Sequence, residues 1–164
     1  MKLKLGDPAP DFDVLARQAG RDRALHLREL LTQKHVVLYF YPRDFTRVCT
    51  KETCGFRDMY AELQAEDTEI IGVSVDDAES HDRFASEHGV TFPLVSDPER
   101  RLARQYGATS IVGDLMGLTA RVTFVIERGG RVVGIFDSMG RASQHLDGVK
   151  QAISDVRRRA GDHH

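Results

Sequence analysis

The chain has 164 residues, 41% hydrophobic and 29% charged, with a formal net charge of −2. That size and balance suit a single folded domain over 1–164. They exclude a strongly basic chain, so the charge gives no electrostatic argument for nucleic acid or anionic lipid, and because no window approaches 18 continuous apolar residues no membrane-spanning helix is expected.

The first residues, Met1-Lys2-Leu3-Lys4-Leu5-Gly6-Asp7-Pro8, lack the apolar core of a signal peptide. The chain has two cysteines, which fits a reducing cytoplasm better than a disulfide-stapled secreted fold. Pro8 and Pro10 keep the next stretch extended, since each restricts its predecessor and removes a backbone donor. The alternating run 12–15 predicts an edge strand. Residues 19–22, Ala-Gly-Arg-Asp, predict a turn. Leu25, Leu27, Leu30 and Leu31 predict a short strand leading into a helical turn.

Residues 36–41 form an apolar run that reads as a buried central strand, and the loop after it carries Thr46 and Cys49. Apolar residues resume at Phe56, Met59, Tyr60 and Leu63 with helical spacing, so a helix is predicted from about 49 to 65. Cys49 then stands near a helix N-terminus, where unpaired N–H groups and the helix dipole favour a thiolate. Thr46, three residues earlier, has a hydroxyl able to bond a thiolate or a bound oxygen, and Arg43 and Arg47 are close in sequence.

Cys54 lies five residues after Cys49. Within one unbroken helix that spacing means a rise of about 7.5 Å and a net turn of roughly 140°, so the sulfurs diverge. A disulfide needs Cα atoms within about 7 Å and converging Cβ vectors. A bond between them therefore requires local unwinding, which the neighbouring Gly55 eases. Taken without their flanks, two such cysteines also fit coincidence or half of a metal site.

Residues 69–76 predict a second central strand, and strand, helix, strand makes a βαβ unit. A helix over 80–88 is anchored by Phe84 and stopped by Gly89. A short strand at 92–96 follows. Asp97-Pro98-Glu99 reads as N-cap and first turn of a helix ending at Gly107. Residues 108–119 form a glycine-containing connection whose Ile111, Val112, Leu115, Met116 and Leu118 predict packing under the core, or a pocket wall or subunit contact. Strands at 121–126 and 131–136 flank a turn at Gly129-Gly130, and a helix spans 143–159 with Leu146, Val149, Ile153 and Val156 on one face. This order predicts an α/β, thioredoxin-like fold with an N-terminal extension, a central mixed β-sheet and flanking helices.

The flanks of the cysteines resemble the peroxiredoxins. The match runs through Phe40-Tyr41-Pro42, Thr46-x-x-Cys49 and Thr50-x-Glu52-x-Cys54-Gly55-Phe56-Arg57-Asp58. The second half is similar to the bacterioferritin-comigratory-protein, or peroxiredoxin Q, subfamily. The first half, Asp44-Phe45-Thr46-x-Val48-Cys49, is closer to the alkyl hydroperoxide reductase C branch. That branch keeps its resolving cysteine near the C-terminus, and nothing after Cys54 is a cysteine. Arg47 stands where the subfamily often has Pro.

The resemblance implies a peroxidase with no bound cofactor. Cys49 is oxidised by hydrogen peroxide or an organic hydroperoxide to a sulfenic acid, Cys54 resolves it as a disulfide, and thioredoxin or a similar dithiol is the reductant. It also implies that Arg121, in Arg-x-Thr-Phe-x-Ile, holds thiolate and peroxide, and that the chain is a monomer or weak homodimer. Glu52 reads most simply as a first-turn residue complementing the helix dipole, and the resemblance, with Glu or Gln often at this place, also allows it a supporting role at the site. Arg57 and Asp58 read as structural pairs. A one-cysteine peroxidase using an external thiol and a peroxide-responsive sensor are the competing expectations. His81 and His88 are seven apart, and His26, His35 and His145 stand alone, so no metal site is expected. His163-His164 reads as tail. No Gly-rich phosphate loop is present.

Overall fold

The computed structural model describes residues 3–137 and 142–161, apart from the side chains at 47–49, 111–112, 142–145 and 160–161. In chain order its elements are β1 (Asp13–Gln18), β2 (Arg21–His26), α1 (Leu27–Leu30), β3 (His35–Phe40), α2 (Arg47–Ala65), β4 (Thr68–Ser74) and α3 (Ala78–His88), followed by β5 (Leu94–Ser96), α4 (Arg101–Tyr106), α5 (Ile111–Met116), β6 (Val122–Ile126), β7 (Val132–Asp137) and α6 (Ala142–Gly161).

The strands form one mixed sheet in the order β2-β1-β5-β4-β3-β6-β7. β3 and β4 are buried throughout, which is why both read as continuous apolar runs. They pair in parallel with α2 between them, as the βαβ reading expects. Alternation along β3 sends Val36, Leu38 and Phe40 to one face with Leu102, Ala103 and Tyr106 of α4, and Val37 and Tyr39 to the other with Phe56, Phe84 and Val149 of α2, α3 and α6. The two faces thus carry separate cores.

β1 and β2 are the N-terminal extension. β1 is not an edge strand as the sequence predicts. β2 folds back on it along six residue pairs and takes the edge, while β1 also pairs with β5 through Ala16↔Val95 and Arg17↔Leu94. The helix expected from Asp97 begins at Arg101 instead, because Arg100 takes a left-handed conformation at φ 55° and extends the turn. Asp97 still serves it: its carboxylate accepts the backbone N–H groups of Leu102 and Ala103 at 3.1 and 3.0 Å.

The connection expected over 108–119 contains α5, capped by the Ser110 hydroxyl accepting from the Gly113 N–H. Leu115 is 85% exposed and Met116 64%, so these two side chains are not packed under the core as expected, while Ala108 is buried in it. No helix among the described residues is long and apolar enough to cross a membrane.

Candidate active site

β3 delivers the chain from the middle of the sheet into the loop 41–46, and α2 begins at its end. The N-cap is Thr46, in extended conformation. Its hydroxyl does not cap the helix but donates to the Arg43 carbonyl at 3.4 Å. Cys49 is the third residue of α2, two positions further in than the sequence predicts, and its side chain lies outside the described residues. So does that of Arg47. Cys54 is in the same unbroken helix, partly buried, with a free thiol.

Gly55 plays a larger part than weakening the helix. A Cβ there would overlap Leu146 Cδ1 of α6, so the glycine is the notch into which α6 seats Leu146. Phe56 is fully buried behind it, with its ring centroid 4.9 Å from that of Tyr39.

Arg121 sits just before β6. The antiparallel register pairs Val122 with Phe40, the last residue of β3, so Arg121 emerges where the loop begins. Its Nε lies 3.6 Å from Glu52 Oε1. This corrects the reading of Glu52 as a dipole-complementing residue. α2 starts at Arg47, so Glu52 is beyond the first turn, and it has no solvent exposure. Its role is to supply a buried counter-charge to Arg121. Arg57 and Asp58 do form a structural set: Arg57 donates to Asp58 at 2.9 Å and to the His88 carbonyl at 2.6 Å.

Arg121 and Pro42 also border a cavity of about 570 Å³ whose walls include Met116, Leu118, Thr119 and Phe124. The stretch 108–119 therefore contributes to a pocket wall.

Sequence reasoning set His81 aside. In the fold it is fully buried and joins Asp44 and Asp76, with ligating atoms within 4.8 Å of one another. Each of these atoms is engaged in hydrogen bonds: His81 Nδ1 with Asp44 at 2.8 Å, and Asp76 Oδ2 accepting from the Asp44 N–H and the Ser74 hydroxyl, both at 2.6 Å. The available signal was spacing, since His81 lies three residues before the buried Phe84 and so shares its face.

The first turn of α2 with Cys49, Thr46 at its N-cap and Arg121 beside Glu52 thus lie at one end of the thioredoxin-like sheet. The sequence profile of the AhpC/TSA family matches residues 5–135. The chain is 38% identical over 147 residues to chloroplastic peroxiredoxin Q of Arabidopsis thaliana, covering 89% of this chain and 65% of that protein. It is 33% identical over 157 residues to the peroxiredoxin Q of Sedum lineare, covering 95% and 81%. Among solved structures, peroxidoxin BcpB of Mycobacterium tuberculosis superposes with a TM-score of 0.78 at 33% identity, covering 95% of this chain and 97% of that one. The chain belongs to the AhpC/TSA family, and its resemblance to the peroxiredoxin Q subfamily holds.

Proposed function

We propose that this protein is a thiol-dependent peroxidase cycling between Cys49 and Cys54. The Cys49 thiolate attacks one oxygen of a hydroperoxide, the O–O bond breaks, and water or an alcohol leaves after taking a proton. Cys49 is left as a sulfenic acid. The Cys54 sulfur displaces its oxygen as water to form the disulfide, and a dithiol such as thioredoxin reduces that bond by exchange.

The observation that carries this reading is the placement of Cys49 in the first turn of α2, at the same end of the sheet where Arg121 emerges beside Glu52. The helix start favours thiolate. Arg121 and Thr46 supply the positive charge and the hydroxyl that stabilise charge developing on the leaving oxygen. The peroxiredoxin names of its relatives support the same chemistry. We place the protein in a reducing compartment such as the cytoplasm, because both thiols must be regenerated between turnovers, and its resemblance to the peroxiredoxin Q subfamily supports a monomer or weak homodimer.

Peptide mapping by mass spectrometry after one equivalent of hydrogen peroxide tests the cycle. A peptide pair joined through Cys49 and Cys54 is the expected product. Sulfenic acid at Cys49 with Cys54 still free would replace it with a one-cysteine peroxidase that needs an external thiol.

A further inference from the structure

Helix α3 takes no part in the chemistry above, yet it grips the loop that leads to Cys49. His81 Nε2 is 3.1 Å from the Val95 carbonyl, which can only accept, so Nε2 donates. Nδ1 faces Asp44 Oδ2 at 2.8 Å. That oxygen also accepts from the Ser80 hydroxyl at 3.0 Å, and Oδ1 accepts from the Tyr41 hydroxyl at 2.6 Å. One proton must therefore lie between Nδ1 and Oδ2, as an imidazolium facing a carboxylate or as the same proton moved across.

The next residue is held as firmly. Phe45 has φ 66°, a left-handed conformation rarely taken by an aromatic residue unless its surroundings impose it. Its ring stands edge-on to Phe84 at 5.1 Å, with the Arg83 guanidinium carbon 5.4 Å from the ring centroid. Thr46 and the first turn of α2 follow directly.

We infer that His81 is a positioning residue of the peroxidase: by donating from Nδ1 to Asp44 it fixes the loop 43–46, and through it the start of α2 that carries Cys49. This rests on the reading of Cys49 as the peroxide-reducing thiol. The groups facing His81 are Asp44 from the loop and, beyond it, Asp76 from the connection between β4 and α3. From β5 comes the Val95 carbonyl. Asp82, on its own helix, is bound by Arg17 of β1 through two bonds of 3.0 and 2.7 Å. Asp44 is 3% exposed, so losing the Nδ1 partner leaves its buried carboxylate with only the Tyr41 and Ser80 hydroxyls, and the loop shifts to relieve it.

Two variants separate the two ring nitrogens. His81→Asn places an amide nitrogen where Nδ1 is, keeping the bond to Asp44 and losing that to Val95. His81→Gln reaches the Nε2 position, keeping Val95 and abandoning Asp44. The readouts are the second-order rate of Cys49 with hydrogen peroxide, the pH profile of Cys49 alkylation, and the thermal midpoint.

His81→Gln should react about a hundredfold more slowly, with a displaced alkylation profile, and His81→Asn should recover most of that loss even though both variants lose a buried bond. Two variants that slow equally, or a His81→Gln as fast as wild type, would overturn the inference. Should His81→Gln fail to fold, Tyr41→Phe and Ser80→Ala each remove one donor to Asp44 while leaving His81 in place. Each is expected to slow the reaction about tenfold, and unchanged rates in both would overturn it equally. A wild-type protein whose Cys49 does not react with peroxide overturns the peroxidase reading itself, before any variant is compared.

Discussion

Arg121 Nε lies 3.6 Å from Glu52 Oε1, and the Glu52 side chain has no contact with solvent while that of Arg121 retains 20% of its exposure. The pair joins the start of β6 to the second turn of α2, so one interaction serves both the stability of the fold and the placement of the guanidinium.

Those two roles separate by mutation. Arg121→Ala removes the counter-charge facing the buried Glu52 carboxylate and should destabilise the protein, by at most about 3–5 kcal/mol. Adding Glu52→Gln removes the charge that Arg121 balanced and should restore much of that loss. It should not restore the peroxide reaction, which under the proposed mechanism draws on the arginine's charge. Denaturant titration and stopped-flow rates on the two single variants and the double variant check both halves, and recovery of rate along with stability would contradict the catalytic role of Arg121.

Gly55→Ala sets two effects against each other. Alanine is favoured over glycine in a helix interior by about 1 kcal/mol, but here its Cβ collides with Leu146. Overpacking of this kind costs about 1–3 kcal/mol, so the substitution should destabilise the protein. In a Leu146→Ala background the collision is gone, and Gly55→Ala should become neutral or stabilising. A double-mutant cycle of unfolding free energies shows the sign change.

His35 predicts a pH dependence of stability. Its Nδ1 accepts the Arg128 backbone N–H at 2.8 Å. Burial, reinforced by the nearby Arg128 charge, holds its pKa below the ordinary value of 6.5. The unfolded chain then binds the proton more readily, so this contribution is fully present above pH 6.5 and is lost as pH falls toward the folded value, with a slope of at most about 1.4 kcal/mol per pH unit. His26 acts in the opposite sense, because its bond to Asp13 raises its pKa. His35→Asn, whose carbonyl can still accept the N–H but cannot titrate, isolates the effect: unfolding midpoints between pH 7 and 5 should fall less steeply in the variant than in wild type.

The cavity beside Arg121, at about 570 Å³, is far larger than hydrogen peroxide requires, since a water molecule occupies about 30 Å³ of liquid. Thr119 lines it with a buried hydroxyl that has no hydrogen-bond partner among the described residues. Ala120→Leu, which fills space in the wall, should lower kcat/KM for cumene hydroperoxide while leaving that for hydrogen peroxide near wild type. Equal losses on both substrates would show that the cavity does not receive the carbon skeleton.

Much of the fold was legible because its signals are local. The continuous apolar runs of β3 and β4, the helical spacing from Phe56 to Leu63 and the glycines at 89, 107, 129 and 130 each specify their element from a few neighbouring residues. What could not be read depended on distant partners. β1 lost its edge because β2 hairpins outside it, and Glu52 became a buried counter-ion because β6 brings Arg121 beside it. His81 looked like an isolated histidine because its partners Asp44 and Val95 are 37 positions before it and 14 after. Gly55 signalled a weak point in a helix, and only the packing of α6 showed it to be a socket.

The socket at Gly55 also sets a clock. Under the proposed cycle, Cys49 and Cys54 meet only after the first turns of α2 come apart, on a helix that α6 holds through Leu146, Val149 and Ile153. Tighter packing there lengthens the wait of the sulfenic acid for its partner. A longer wait gives a second peroxide time to carry Cys49 on to the sulfinic acid, which thiols do not reverse. Under that cycle, the packing of α6 on α2 bears on the peroxide dose at which Cys49 is over-oxidised.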